Sequence, residues 1–300
     1  MRIPDTSQIL LNALNVSDQA EQTALLQLST GLRVNSPSDD PSAAAREVGI
    51  ASQADACDQY LRSIASVSAE LQTADSSLSS GVTALQRAIS LGVEGANGTQ
   101  SQDDRNALAS EVQSISQQML GIANLTFNGK YVFAGTADSQ PAYVSTAGGI
   151  VYKGNDGVNQ VEIEAGQTVA INQPGSQLFS ANGASVFQGL SDLATALQSS
   201  SSTTDDIANA SNEVRTAYNQ FNSARVFYGS TQDQLNSTQT FLNSEQLQLT
   251  QQTSDLVGVD AAMAATNLAN AETARNDALQ AAASVGNLSL FNYLGTQTTA

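Results

Sequence analysis

The chain has 300 residues, a net charge of −17, one cysteine, and neither histidine nor tryptophan. Nucleic acid and anionic membrane surfaces are excluded as partners, because both need clustered Lys and Arg and no basic run occurs. Cys57 alone can form no intramolecular disulfide, and without histidine the commonest general base and metal ligand are missing.

The opening residues 1–7 lack a hydrophobic signal core. No stretch reaches about 18 apolar residues, so no membrane-spanning helix is expected. In residues 7–32, Leu10, Leu14, Leu25, Leu28 and Leu32 fall near one stripe, which Ser17 and Glu21 interrupt. Gly31 suits a left-handed helix C-cap. Asp40-Pro41 supplies an N-cap acid followed by proline at the first helical position. Arg33 is placed to pair with Asp39 or Asp40, in its own chain or a neighbour's, or to be simply solvated.

A long helix is predicted over 43–91. Ile50, Cys57, Ile64, Leu71, Leu78 and Leu85 recur every seven residues, with Tyr60, Val67, Ala74, Gly81 and Ala88 as the other half of the seam. Gly92, Gly95 and Gly98 mark a turn. In the next helix Leu108, Val112, Ile115, Met119 and Ile122 share a face, and Asp103 and Asp104 suit its first turn.

Residues 128–183 lose helical periodicity. Strands are predicted at 131–133, 150–152, 161–163 and 169–171, with turns at Gly148-Gly149 and at Gly154–Gly157. A short helix follows around Phe187, Leu190, Leu193 and Leu197. After a Ser/Thr loop, Asp205 or Asp206 is expected to cap the strongest signal in the chain. There Ile207, Val214, Phe221, Tyr228, Leu235, Leu242, Leu249, Leu256 and Met263 recur every seven residues. Their partner positions are small or polar, which suits a multi-helix bundle better than a free zipper. Gly229 and Gly258 are expected bends. Residues 264–288 are Ala-rich, with Leu268, Leu279 and Val285 sparse. With so few large apolar groups, both chain ends are expected to order only against neighbouring subunits.

The expected fold is mainly α with a small β domain: an elongated helical bundle with a β insert and both termini paired at one pole. Residues 1–42 with 260–300 are expected to form terminal coiled-coil assembly helices, 43–127 with 184–259 the bundle, and 128–183 the β-rich outer domain. The pairs Asp39/Asp40, Asp103/Asp104 and Asp205/Asp206 invite a reading as acid–base dyads or cation ligands, but each precedes a helix, where capping explains it. Cys57 lies on an apolar seam as a small core residue. Tyr131 and Phe133 are better placed as anchors between bundle and insert than as an exposed patch.

Residues 28–45 read Leu-Ser-Thr-Gly-Leu-Arg-Val-Asn-Ser-Pro-Ser-Asp-Asp-Pro-Ser-Ala-Ala-Ala, and residues 289–294 read Ser-Leu-Phe-Asn-Tyr-Leu. Both resemble the terminal signatures of the flagellin superfamily. Phe127-Asn128-Gly129-Lys130-Tyr131-Val132-Phe133-Ala134-Gly135-Thr136 resembles its hook–filament junction branch. That resemblance implies a structural subunit of the bacterial flagellum, with no catalytic role and no cofactor. It would be exported unfolded through the flagellar channel without a cleaved signal peptide, and would assemble with itself into a ring. Implied partners are the larger hook-associated junction protein, flagellin, an export chaperone and the export apparatus. Candidate interface residues are Leu10, Leu14, Leu25, Leu28, Arg33, Asp39, Asp40, Leu268, Leu279, Leu290, Tyr293 and Leu294. Two alternatives stay open: flagellin itself, and a coiled-coil signalling protein of the chemoreceptor type.

Overall fold

The computed structural model describes residues 6–180 and 185–295, with side chains described over 8–180 and 185–284. The order is α1 (Thr6–Thr30), α2 (Pro41–Gly95), α3 (Gln102–Ala123), β1 (Thr126–Phe127), β2 (Lys130–Tyr131), β3 (Tyr143–Thr146), β4 (Gly149–Tyr152), β5 (Gln160–Glu164), β6 (Gln167–Ala170), α4 (Gly175–Phe179), α5 (Val186–Gln198), α6 (Thr204–Val257) and α7 (Ala261–Gly295). The protein is thus mostly helical with a small β region. It divides into two compact units, residues 57–243 and residues 1–56 with 244–300. The unit boundaries fall inside α2 and α6, whereas the helix breaks lie at the loops 31–40 and 258–260.

The core follows the seven-residue rows of α2 and α6, most of which lie within residues 57–243. On α2, Cys57, Ile64, Leu71, Leu78 and Leu85 are buried with Val67, Ala74 and Ala88; Ile50 and Tyr60 are half-buried. On α6, Ile207, Val214, Phe221, Tyr228, Leu235, Leu242 and Leu249 are buried, and Ala210, Ala217, Ala224, Thr231 and Thr238 fill the second row. Small groups there let neighbouring elements come close. The row ends where the helix does: Leu256 is half-buried, Val257 takes the buried position, and Met263 is 63% exposed. Gly258 breaks the helix, which resets the register before Ala264 and Ala271. Gly229 stays inside an uninterrupted α6.

Gly92 and Gly95 do not form a turn. They are buried in the last turns of α2, where a Cβ would run into Ser211 and Leu197 respectively. Only Gly98 lies in the connection to α3. That helix starts with a capping box in which Ser101 accepts from the Asp104 amide and Asp104 accepts in return. Thr203 and Asp206 repeat the arrangement at α6: the Thr203 amide donates to Asp206 at 2.8 Å and the Asp206 amide to Thr203 Oγ1 at 3.2 Å. Hydroxyls therefore cap both helices, and the acids three positions later complete the boxes.

The β region is three antiparallel hairpins, not one sheet. Two strands, β1 and β3, lie outside the expected spans: β1 has only two residues, and β3 buries Tyr143 but exposes its other three residues, so neither shows alternation. Asn128 and Gly129, both with positive φ, make the tight turn between β1 and β2. After β2 the chain dives inward. Val132, Phe133, Ala134 and Gly135 are all buried. Phe133 meets Phe179 edge-on at 5.6 Å, and Phe179 meets Phe221 of α6 at 5.1 Å. Tyr143 donates to the Gly175 carbonyl at 2.8 Å and packs on Phe187. The residues carrying the junction-branch resemblance thus anchor the hairpins to the helices through an aromatic core.

Candidate assembly site

In the unit formed by residues 1–56 and 244–300, α1 and α7 pack side by side. Arg275 pairs with Asp18 at 2.8 Å and Glu21 at 3.4 Å, while Leu32 beyond the end of α1 bridges to Gly258 before the start of α7, so the two helices run antiparallel. These ends are helical in the single chain, contrary to the expectation that they order only on neighbours. Their seam is made of small and polar groups. On α1 the inward positions are Leu10, Leu14, Ser17, Glu21, Ala24 and Leu28, spaced four and three residues apart. On α7 they are Ala264, Leu268, Ala271, Ala278 and Ala282; Arg275 takes the remaining step of the same spacing, but its side chain reaches out to the acids of α1 and stays exposed. Ser17 and Glu21 are therefore members of the seam and not interruptions of it.

Leu10, Leu14, Leu28 and Leu268 are half-buried, partly covered by the partner helix. Leu25 and Leu279 are not: they are 48% and 45% exposed, and Leu32 is exposed as well. The reason is angular. At 100° per residue, Leu25 and Leu279 sit one step outside the seam, on its flank. Leu290, Tyr293 and Leu294 lie in the part of α7 where only the helical backbone is described.

The loop after α1 meets the break between α6 and α7. Leu32 and Gly258 form an antiparallel bridge, in which the Arg33 amide donates to the Val257 carbonyl at 2.7 Å and the Val259 amide to the Gly31 carbonyl at 3.0 Å. Gly31 has φ +71°, a left-handed conformation that ends α1 at the expected place. The Arg33 guanidinium donates to the Leu256 carbonyl at 3.0 Å and to Asp40 at 3.3 Å. One cation thus covers the carbonyl end of α6, where the helix dipole favours positive charge, and joins it to the cap of α2. Beneath this clamp, Val34, Ala43 and Val257 form a small buried cluster.

The two aspartates divide the work. Asp39 turns into its own loop, accepting from the Asn35 and Ser36 amides at 2.9 Å each. The Ser36 amide, then that of Asn35, holds its carboxyl below the usual range. Asp40 caps α2, accepting from the Ala43 amide at 3.0 Å and the Ser42 hydroxyl at 2.9 Å. Those two bonds, with a smaller contribution from Arg33, bring its carboxyl down to about 2. Asp260 caps α7 in the same way through the Ala262 and Met263 amides. Sequence reasoning missed Arg275 and its acids. The available signal was that Arg275 is the last Lys or Arg in the chain and sits in an otherwise Ala-rich helix.

Residues 6–138 match the family model of the bacterial flagellin N-terminal helical region, and residues 211–294 that of the bacterial flagellin C-terminal helical region. Over 155 residues the chain is 37% identical to flagellar hook-associated protein 3 of Salmonella typhimurium, covering 51% of this chain and 48% of that protein. Polar flagellin E of Vibrio parahaemolyticus is 33% identical over 138 residues, 45% of this chain and 37% of that protein. The chain spans about half the length of the curated hook-associated relatives it matches. A solved flagellar hook-associated protein from Vibrio parahaemolyticus shares the fold with a TM-score of 0.70 at 22% identity, over 73% of this chain and 100% of that one. Bacillus cereus FlgL does so with a TM-score of 0.60 at 19% identity, over 69% of this chain and 99% of that one.

Proposed function

Because this chain belongs to the bacterial flagellin family, we propose that it is a structural subunit of the flagellum, the adaptor that joins hook to filament by assembling with itself into a ring. One observation carries the choice within the family: hook-associated protein 3 matches over a longer stretch, and at higher identity, than the flagellins do. The α1–α7 pair and the clamp around Arg33 are the assembly end of the molecule in this reading. The aromatic core of residues 57–243 gives the ring a stiff body to carry load.

The partners follow from that position. They are further copies of this chain, the larger hook-associated junction protein on one side, and flagellin on the other. An export chaperone and the flagellar export apparatus handle the chain beforehand, and delivery through the channel needs no cleaved signal peptide. The role is mechanical and not catalytic. The filament-subunit reading keeps one supporting fact, the 33% identity to polar flagellin E, and it shares the same terminal helices.

Deleting the gene in its native cell separates the two. An adaptor's loss leaves hooks in place without filaments, while the filament protein accumulates unpolymerised in the medium. If cells lacking this protein still grow full filaments on their hooks, the adaptor reading is wrong.

A further inference from the structure

The α1–α7 pair has two open flanks of different chemistry. On one, Leu11, Asp18 and Leu25 follow one another at seven-residue steps, as do Glu272 and Leu279 on α7. Leu11, Leu25 and Leu279 are each roughly half exposed. Each row lies one residue after buried or half-buried seam positions, Leu10, Ser17 and Ala24 on α1 and Ala271 and Ala278 on α7, and in an antiparallel pair such rows face the same side. This flank is a leucine ridge, and its charge does not balance: Asp18, Glu21 and Glu272 stand against Arg275 alone.

The opposite flank is a groove of about 690 Å³. Its floor is Ser17, Ala24 and Ala271, and its walls include Thr23, Gln27 and Asn270. None of its lining residues carries a charge, in a chain whose net charge is −17. It is therefore a place where a second acidic copy can approach without repulsion.

We infer that copies of this chain join through these unlike flanks, the leucine ridge of one seating in the uncharged groove of the next. The inference rests on the self-assembly proposed above and adds which surfaces meet. Charge decides the pairing. Ridge against ridge would bring the excess carboxylates of two copies together around a two-fold axis and leave both grooves empty. Ridge into groove meets the same carboxylates with neutral amides and hydroxyls, and buries exposed leucine against them. The two flanks face away from each other, so a chain cannot fill its own groove. A contact between unlike surfaces leaves one ridge and one groove free at each step. It therefore propagates to a ring or helical array, whereas like-to-like contact stops at a dimer.

Cysteine cross-linking of the full chain tests this. In a Cys57→Ala background, Leu25→Cys is combined in turn with Gln19→Cys, Thr23→Cys and Asn270→Cys. The samples are oxidised at assembling concentration, after sedimentation has recorded whether the chain is oligomeric. The expected result is a ladder of disulfide-linked trimers and larger species from at least one ridge–groove combination, with little cross-linking of the single-cysteine chains. Efficient dimers from Leu25→Cys alone, or from a groove cysteine alone, would show like-to-like contact and overturn the inference. Oligomers that sediment but give no ladder with any combination would overturn it too, while leaving self-assembly standing. A chain that neither sediments as an oligomer nor cross-links would remove the assembly role along with it.

Discussion

Replacing Phe221 with alanine tests how the body of the molecule is held. The ring is fully buried, lies edge-on to Phe179 at 5.1 Å, and covers Gly81 of α2. Truncation loses the transfer energy of the ring and leaves a cavity, about 3–5 kcal/mol for a core Phe→Ala change. The sharper test is the pair with Gly81. A Cβ there would lie 2.7 and 3.0 Å from the Phe221 ring and 3.6 Å from Ile122. With the ring in place, Gly81→Ala overpacks at a cost of about 1–3 kcal/mol. Roughly 1 kcal/mol of that is offset by the better helix propensity of alanine. With the ring gone the clash is gone, the Ile122 contact is ordinary, and the same substitution should stabilise by about 1 kcal/mol. The double-mutant cycle should therefore show a coupling of about 1–3 kcal/mol, with Gly81→Ala changing sign or nearly so. Urea unfolding followed by far-UV circular dichroism measures all four proteins. Additivity within about 0.5 kcal/mol would refute this packing. Phe241→Ala is the control: the same residue type on the same helix, but 53% exposed, so its change should stay within about 0.5 kcal/mol.

Leu78→Ala and Leu242→Ala, both buried in the seven-residue rows, should each lower unfolding free energy by about 2–5 kcal/mol in the same assay. Arg275→Gln should weaken the α1–α7 pair by only about 0.2–1 kcal/mol, and less at high salt, since its partners are partly exposed; amide hydrogen exchange in α1 reads this. Asp40 should titrate near pH 2 instead of near 3.8. Because the folded value lies below the unfolded one, its cap is fully present above about pH 4 and lost as pH falls through 2. NMR titration of the Asp40 carboxyl checks the midpoint, and Ser42→Ala with Arg33→Gln should move it upward. Removing residues 1–30 should leave the cooperative unfolding of residues 57–243 in place while abolishing self-assembly. A fall in the thermal midpoint of that unit would show that it leans on α1.

The long helices were legible because their seams are simple. Seven large residues of α6, from Ile207 to Leu249, are buried at a constant step, and α2 matches them from Cys57 to Leu85. The ends were harder, because a seam of Ser17, Glu21, Ala24 and Ala271 has little apolar signature. A search for leucine places Leu25 and Leu279 in the seam, yet they flank it. Gly92 and Gly95 look like a turn in sequence, because glycine reports permissive backbone and close approach alike; only the positions of Ser211 and Leu197 tell the two apart. Likewise nothing local in Gly31–Asp40 announces that Leu32 will bridge to Gly258. That contact joins residues far apart in the chain and depends on Gly258 ending α6. Capping, by contrast, was local and readable, though at α3 and α6 the hydroxyls of Ser101 and Thr203 take the cap position in place of an aspartate.

A junction subunit and the filament's bulk material differ in copy number. Flagella sheared from the native cell with hooks attached are digested, and this chain is quantified against the dominant filament protein by mass spectrometry. A junction subunit should be present in a small and constant number of copies per hook, independent of filament length. An amount that rises in proportion to filament length would make it a filament subunit, and its absence from the preparation would contradict the flagellar role altogether.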